Sequence, residues 1–125
     1  MEKLTNTEEE VMIVIWQSGN GFIKDFLEKM PEPKPPYTTL ASIVKNLEKK
    51  GYLISEKAGN SWFYKTLVPE KDYKRKFMSG FVSNYFSNSY KEMVSFFAKE
   101  QKLSSEDLKE ILSLIEEQKN KEDNK

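Results

Sequence analysis

At Gly51 the hydrophobic pattern of this chain changes period, and that change narrows the possible folds more than any other feature. Before it, Leu40, Ile43, Val44 and Leu47 recur at helical spacing along one face. The segment from Thr38 or Thr39 to Lys50 therefore reads as a helix, ended by a glycine at the position that tolerates left-handed backbone. After it, Tyr52 to Lys57 and Trp62 to Leu67 are β-prone runs separated by Ala58-Gly59-Asn60-Ser61, which predicts a hairpin. Upstream, Thr7-Glu8-Glu9-Glu10 fits a capping box for a first helix. Its stripe is Val11, Val14 and Ile15, flanked by Met12 and Trp16, and it should run to about Ser18, where Gly19-Asn20-Gly21 breaks it. Phe22, Ile23, Phe26, Leu27 and Met30 mark a short second helix. Pro31, Pro33, Pro35 and Pro36 then hold the next linker extended.

From Pro69 onward only helix signals remain. Tyr73, Phe77, Phe81 and Tyr85 form a stripe ending at Phe86, and Ser87-Asn88-Ser89 interrupts it. Tyr90, Met93, Val94 and Phe97 form a shorter stripe to near Gln101. Ser104 or Ser105 caps a last helix whose apolar face is Leu108, Ile111, Leu112 and Ile115. The charged stretch from Gln118 to Lys125 is expected to fray. Three short helices followed by a hairpin is the element order of a winged helix. The expected fold is mainly α with a small β-hairpin: a winged helix-turn-helix DNA-binding domain over residues 1–69, then a helical dimerisation domain over 70–125.

Composition excludes several functions. With no Cys and no His, the chain has no disulfide, no thiolate or imidazole metal ligand and no imidazole general base. No metal, no cofactor and no enzymatic activity is expected. The longest apolar run is the six residues Val11 to Trp16, too short to cross a membrane. The opening MEKLTNTEEE is acidic where a signal peptide is basic and then apolar, so a cytoplasmic location is expected. Twenty Lys+Arg balance twenty Asp+Glu, which argues against coating nucleic acid through bulk charge. The charge is nonetheless uneven: Lys45 to Lys65 holds five lysines and two glutamates, while the rest of residues 1–70 is net acidic.

The third helix has two different faces. Opposite its apolar side stand Thr38, Ser42, Lys45 and Lys49, flanked by Ala41 and Asn46. Short hydroxyls and lysines in that arrangement can approach base edges and phosphates. Thr38, Thr39, Ser42 and Asn46 are therefore expected at base edges, and Lys45, Lys49 and Lys57 at phosphates. A plain solvated face and a winged-helix module that binds protein are the alternatives. Arginine, the usual partner of guanine, occurs only at Arg75, outside this head. Trp62, Phe63 and Tyr64 read as core and hairpin packing. Glu8, Glu9 and Glu10, as a hydrolytic carboxylate group, are better explained as first-turn acids favoured by the helix dipole. Eight aromatics fall among the last 56 residues, more than short helices in one copy can cover. Phe77, Phe81, Phe86, Phe96 and Leu112 are expected at an interface between two copies. Alternatively, Phe81, Tyr85, Phe96 and Phe97 line a ligand pocket.

The run LTNTEEEVMIVIW, then YTTLASIVKNLEKKGYL, then a short wing ending in FYKTLV, resembles the penicillinase-repressor (BlaI/MecI) family of bacterial winged-helix regulators. SNSYKEMVSFFAKEQKLSSEDLKEILSLIEE looks like that family's dimerisation helices, so the resemblance covers essentially the whole chain. It implies a homodimeric repressor on a palindromic operator in double-stranded DNA. It also implies relief by proteolysis in the C-terminal helices, begun by a membrane-embedded sensor metalloprotease that detects a β-lactam. The family's Asn-Phe cleavage pair is matched here by Ser95-Phe96, and its Gly-Arg wing turn by Gly59-Asn60. The copper-responsive branch of the family has a C-terminal Cys cluster that this chain lacks.

Overall fold

The computed structural model describes Glu2 to Asp123. The elements in order are α1 (Asn6–Ser18), α2 (Ile23–Lys29), α3 (Tyr37–Lys49), β1 (Leu53–Ala58), β2 (Ser61–Thr66), α4 (Glu70–Phe86), α5 (Tyr90–Lys99) and α6 (Ser105–Asp123). They fall into two compact units, Met1–Lys76 and Phe77–Lys125.

In the first unit the cap of α1 lies two residues earlier than the sequence reading placed it. Thr5, not Thr7, is the N-cap: its Oγ1 accepts from the Glu8 N–H at 3.2 Å, and Glu8 Oε1 accepts from the Thr5 N–H at 2.8 Å. Thr-x-x-Glu occurs in both frames. The earlier one wins because it buries Leu4 in the core and brings the Glu8 carboxylate to Lys50. Asp25 caps α2 by accepting from the Phe22 N–H at 2.9 Å. The third helix begins at Tyr37, with Pro36 at its N-cap, one or two residues before the expected start. It ends as expected at Gly51, whose φ is 86°.

The core is assembled from one face of each element. Val11, Met12 and Ile15 of α1, Phe26 of α2, and Leu40, Val44 and Leu47 of α3 are fully buried, and Tyr52, Leu53 and Tyr64 close it from the hairpin side. The strands pair antiparallel from Leu53↔Thr66 to Ala58↔Ser61. This leaves Gly59-Asn60 as a two-residue turn with Gly59 at φ 64°, the sign a type II′ turn needs at its first central position. The Gly19-Asn20-Gly21 breaker also serves as a strand stub. Gly21 exchanges backbone hydrogen bonds with Tyr64 at 3.0 and 2.7 Å, and Asn20 Oδ1 accepts from the Thr66 N–H at 3.0 Å. These bonds fix the hairpin to the α1–α2 connection. On the other side of α1, the Trp16 indole N–H donates to the Val68 carbonyl at 2.9 Å, and its ring lies 5.3 Å from that of Tyr73.

The second unit has little interior of its own. Val82 is its one fully buried side chain among the described residues. Ser87 and Asn88, at φ 51° and 63°, make the break between α4 and α5, and the Ser89 hydroxyl accepts from the Glu92 N–H to cap α5. The Ser104 hydroxyl accepts from the Asp107 N–H, and Asp107 accepts from the Ser104 N–H, both at 3.0 Å. The expected fraying from Gln118 is not what the structure shows: α6 continues to Asp123. Gln, Lys and Glu are good helix formers, and Glu117 stands four residues before Lys121, the favourable orientation for a helical pair. The end of the predicted tail, Asn124 and Lys125, lies outside the described residues.

Candidate nucleic-acid interface

Helix α3 holds its outward residues rigidly because its inward ones are fully buried. Thr38, Ser42, Lys45 and Lys49 follow one another at intervals of four, three and four, so they share one stripe, and all are exposed. Thr39 and Asn46 stand on the flank toward α1. Both are exposed, and the Asn46 amide donates to Glu8 Oε2 at 3.4 Å. Lys57 is exposed on β1, opposite Trp62.

The five lysines between residues 45 and 65 divide into two groups. Lys50 Nζ donates to Glu8 Oε1 at 2.6 Å and to the Lys3 carbonyl at 3.1 Å. Lys65 pairs with Glu56 across the hairpin at 3.0 Å. Lys50 ties the N-terminal segment to the end of α3, and Lys65 is neutralised within the hairpin. Lys45, Lys49 and Lys57 have no side-chain partner among the described residues. The glutamates of this segment are committed too, since Glu48 Oε2 accepts from both the N–H and the hydroxyl of Ser55, at 3.0 and 2.6 Å. That clamp sets the hairpin against α3.

Burial raises the pKa of Glu8, but the Lys50 hydrogen bond, the Thr5 backbone and side-chain bonds and the Lys50 charge together outweigh it. The carboxyl is held below its ordinary value. Burial pushes the Tyr52 and Tyr64 hydroxyls up, helped by nearby carboxylates. Tyr73 is raised by burial and by donating to Glu9 Oε2. Glu8 and Glu9 thus have structural partners, as first-turn acids of α1.

The sequence pattern points Trp62 to packing and gives Tyr37 and Lys24 no role in the site. Tyr64 is buried and Phe63 packs edge-on against Phe22, but Trp62 is half-exposed. With Tyr37 and Lys24 it lines a cleft of about 170 Å³ at the hairpin side of α3. Strand alternation could have indicated this, because Trp62 shares the face of Tyr64 but lies beyond the core. In the second unit, Phe77, Phe96 and Leu112 are exposed and Phe81 and Phe86 half-buried. The rings of Phe86 and Phe96 meet edge-on, 5.7 Å apart. Ser95 is half-buried within α5.

A three-helix unit, a hairpin tied to the first interhelical connection and a solvent-facing third helix with unpaired lysines define a winged-helix DNA-binding regulator. The family profile described as penicillinase repressor matches residues 4–117. The penicillinase repressor of Bacillus licheniformis is 30% identical over 123 residues, covering 95% of this chain and 94% of that protein. The methicillin resistance regulatory protein MecI of Staphylococcus aureus (strain N315) is 26% identical over 118 residues, covering 90% of this chain and 93% of the relative. A penicillinase repressor of Staphylococcus aureus is 23% identical over 114 residues, 90% of each chain. The chain belongs to the penicillinase-repressor family of transcriptional repressors. Among the described residues, no helix is long and apolar enough to cross a membrane.

Proposed function

We propose that this protein is a homodimeric repressor that sets α3 of each copy into the major groove of one half of a palindromic operator. The observation that carries the reading is the separation of lysines: Lys45, Lys49 and Lys57 stay unpaired on the side where α3 presents Thr38 and Ser42, while Lys50 and Lys65 are spent on the fold. In this reading Thr38, Thr39, Ser42 and Asn46 meet base edges, and the three free lysines meet phosphates. Residues 1–69 supply the DNA-binding head and residues 70–125 the dimer contacts. Phe77, Phe81, Phe86, Phe96 and Leu112 are covered by the partner copy, because a unit with one buried side chain among its described residues leaves its apolar surface to be covered elsewhere.

Repression is relieved by a cut near Ser95-Phe96, made by a sensor-linked protease in the cytoplasm. The supporting feature is that α5 has ten residues and none fully buried, so unwinding it for a protease disturbs little packing within one copy. The test has two arms. Sedimentation equilibrium should give a dimer; a monomer unchanged by concentration refutes that arm. Duplexes selected from a random pool should bind far more tightly than the pool itself, with strong salt dependence. If Lys45→Ala and Lys49→Ala together leave affinity and salt slope unchanged, α3 is not the reading helix.

A further inference from the structure

We infer that the cleft enclosed by the start of α1, the proline-rich linker and the flank of α3 is a binding site for a small organic cation, a primary ammonium carried on an aliphatic or aromatic body.

Three observations converge on it. The first is shape. The cleft has a volume of about 320 Å³, within the range of roughly 300–1,000 Å³ usual for small-molecule sites. Its apolar lining comes from Val11 of α1, Ile43 of α3, Met30, and the linker prolines Pro31, Pro33 and Pro35. Proline fixes its own φ, so the linker wall is set before a ligand arrives and little chain entropy is lost on binding.

The second is charge. Glu10 and Glu32 line the cleft, both exposed, and no lysine or arginine does. Glu8, Glu9, Asp25 and Glu48 are engaged by the fold, through Lys50, Tyr73, the Phe22 N–H and Ser55. Glu10 and Glu32 have no side-chain hydrogen bond or ion pair among the described residues. Two unpaired carboxylates beside an apolar wall select a cation with an apolar body and disfavour an anion. The third is hydrogen bonding. The Thr7 and Thr39 residues that complete the lining bring hydroxyl acceptors to the same place. A primary ammonium has three donors, which carboxylates and hydroxyls accept, whereas a bare metal ion has no use for the apolar wall. Among the described residues no group of three carboxylates could hold such an ion.

Thr39 also stands at base edges in the operator reading above, so cation and operator compete for it; this consequence alone rests on that reading.

The experiment uses the full chain carrying methyl-labelled methionine, with phenethylammonium as the probe and 3-phenylpropionate as its anionic counterpart. Met30→Leu identifies the Met30 methyl signal, and the Met12 methyl, buried in the core, reports whether each variant keeps its fold. Phenethylammonium should shift the Met30 signal saturably, and 3-phenylpropionate should not. Glu10→Gln with Glu32→Gln should weaken the ammonium about tenfold. Glu10→Lys with Glu32→Lys should reverse the preference. A shift that does not saturate, equal shifts by both probes, or undiminished affinity in the glutamine pair overturns the site. With the ammonium at about ten times its dissociation constant and ionic strength matched by sodium chloride, duplex selected from a random pool should bind about tenfold more weakly per head. Saturable ammonium binding with duplex affinity unchanged overturns the competition. A wild-type chain that binds no duplex removes the operator reading, while the methionine titration, made without DNA, still decides the site.

Discussion

Replacing Lys50 with methionine should destabilise this protein by about 2 kcal/mol and weaken the acid dependence of its stability. The Glu8 side chain is 5% exposed and that of Lys50 23%, with 2.6 Å between Nζ and Oε1. Breaking a fully buried pair costs about 3–5 kcal/mol, because the surviving charge is left without a counter-ion. Here the figure is reduced because the pair opens to solvent at Lys50, and because Glu8 keeps its bonds from the Thr5 N–H and the Asn46 amide. Glu8→Gln should cost less, about 1 kcal/mol, since the amide oxygen still accepts from Thr5 while the freed ammonium can turn to water.

The pH dependence separates these variants more sharply than the size of the loss. In the wild type the folded Glu8 carboxyl lies below its unfolded value, so its stabilising contribution is complete above the unfolded value and fades as pH falls through the folded one. In Lys50→Met burial meets less opposition, because only the bonds from Thr5 and Asn46 remain, and the folded pKa moves up toward the unfolded value. The acid slope contributed by this group then shrinks. Glu8→Gln loses that slope altogether. Urea denaturation at fixed protomer concentration, repeated from mildly acidic to neutral pH, measures all three. A Lys50→Met variant within about 0.5 kcal/mol of wild type, with the wild-type acid slope, would refute the view that this pair fastens α1 to the end of α3.

Two further outcomes follow from the same geometry. Gly51→Ala should cost about 1 kcal/mol through backbone conformation alone, because φ is 86° and an added Cβ meets no atom within 4 Å; denaturation midpoints check this, and a much larger loss would mean that the helix end rearranges. A chain truncated after Val94 should lose the dimer and, with it, a factor of roughly 10²–10⁴ in operator affinity; sedimentation and titration check both, and a truncated dimer with full affinity would exclude a cut in α5 as the switch.

The fold was legible wherever one local signal decided the matter. Gly51 separates helix from hairpin because its left-handed φ suits glycine, and the stripe Leu40, Val44, Leu47 points inward because 3.6-residue periodicity leaves it nowhere else. Choices made by partners far along the chain were hidden. Two overlapping Thr-x-x-Glu frames compete at the start of α1, and Lys50, 42 residues from Glu8, marks the frame used. Gly21 reads as a breaker because its strand partner, Tyr64, is equally remote in sequence. Among the lysines from 45 to 65, sequence gives the count and the structure gives the sorting. Whether a lysine is free depends on carboxylates that folding brings to it or withholds.

That sorting sets a value for the salt dependence of operator binding. Each head presents Lys45, Lys49 and Lys57 without partners, so a dimer using all three per half-site neutralises about six phosphates. At about 0.9 counterions released per phosphate, log K should fall against log salt with a slope of about −5. A single head cut free of its partner should show half of that value, together with the loss of affinity from severed bivalency. The chain's overall neutrality predicts none of this, because it counts Lys50 with Glu8 and Lys65 with Glu56, which neutralise each other within the fold. A slope near −1 on selected duplex, with site preference intact, would mean that hydroxyl and apolar contacts carry the binding and that the unpaired lysines are solvated surface.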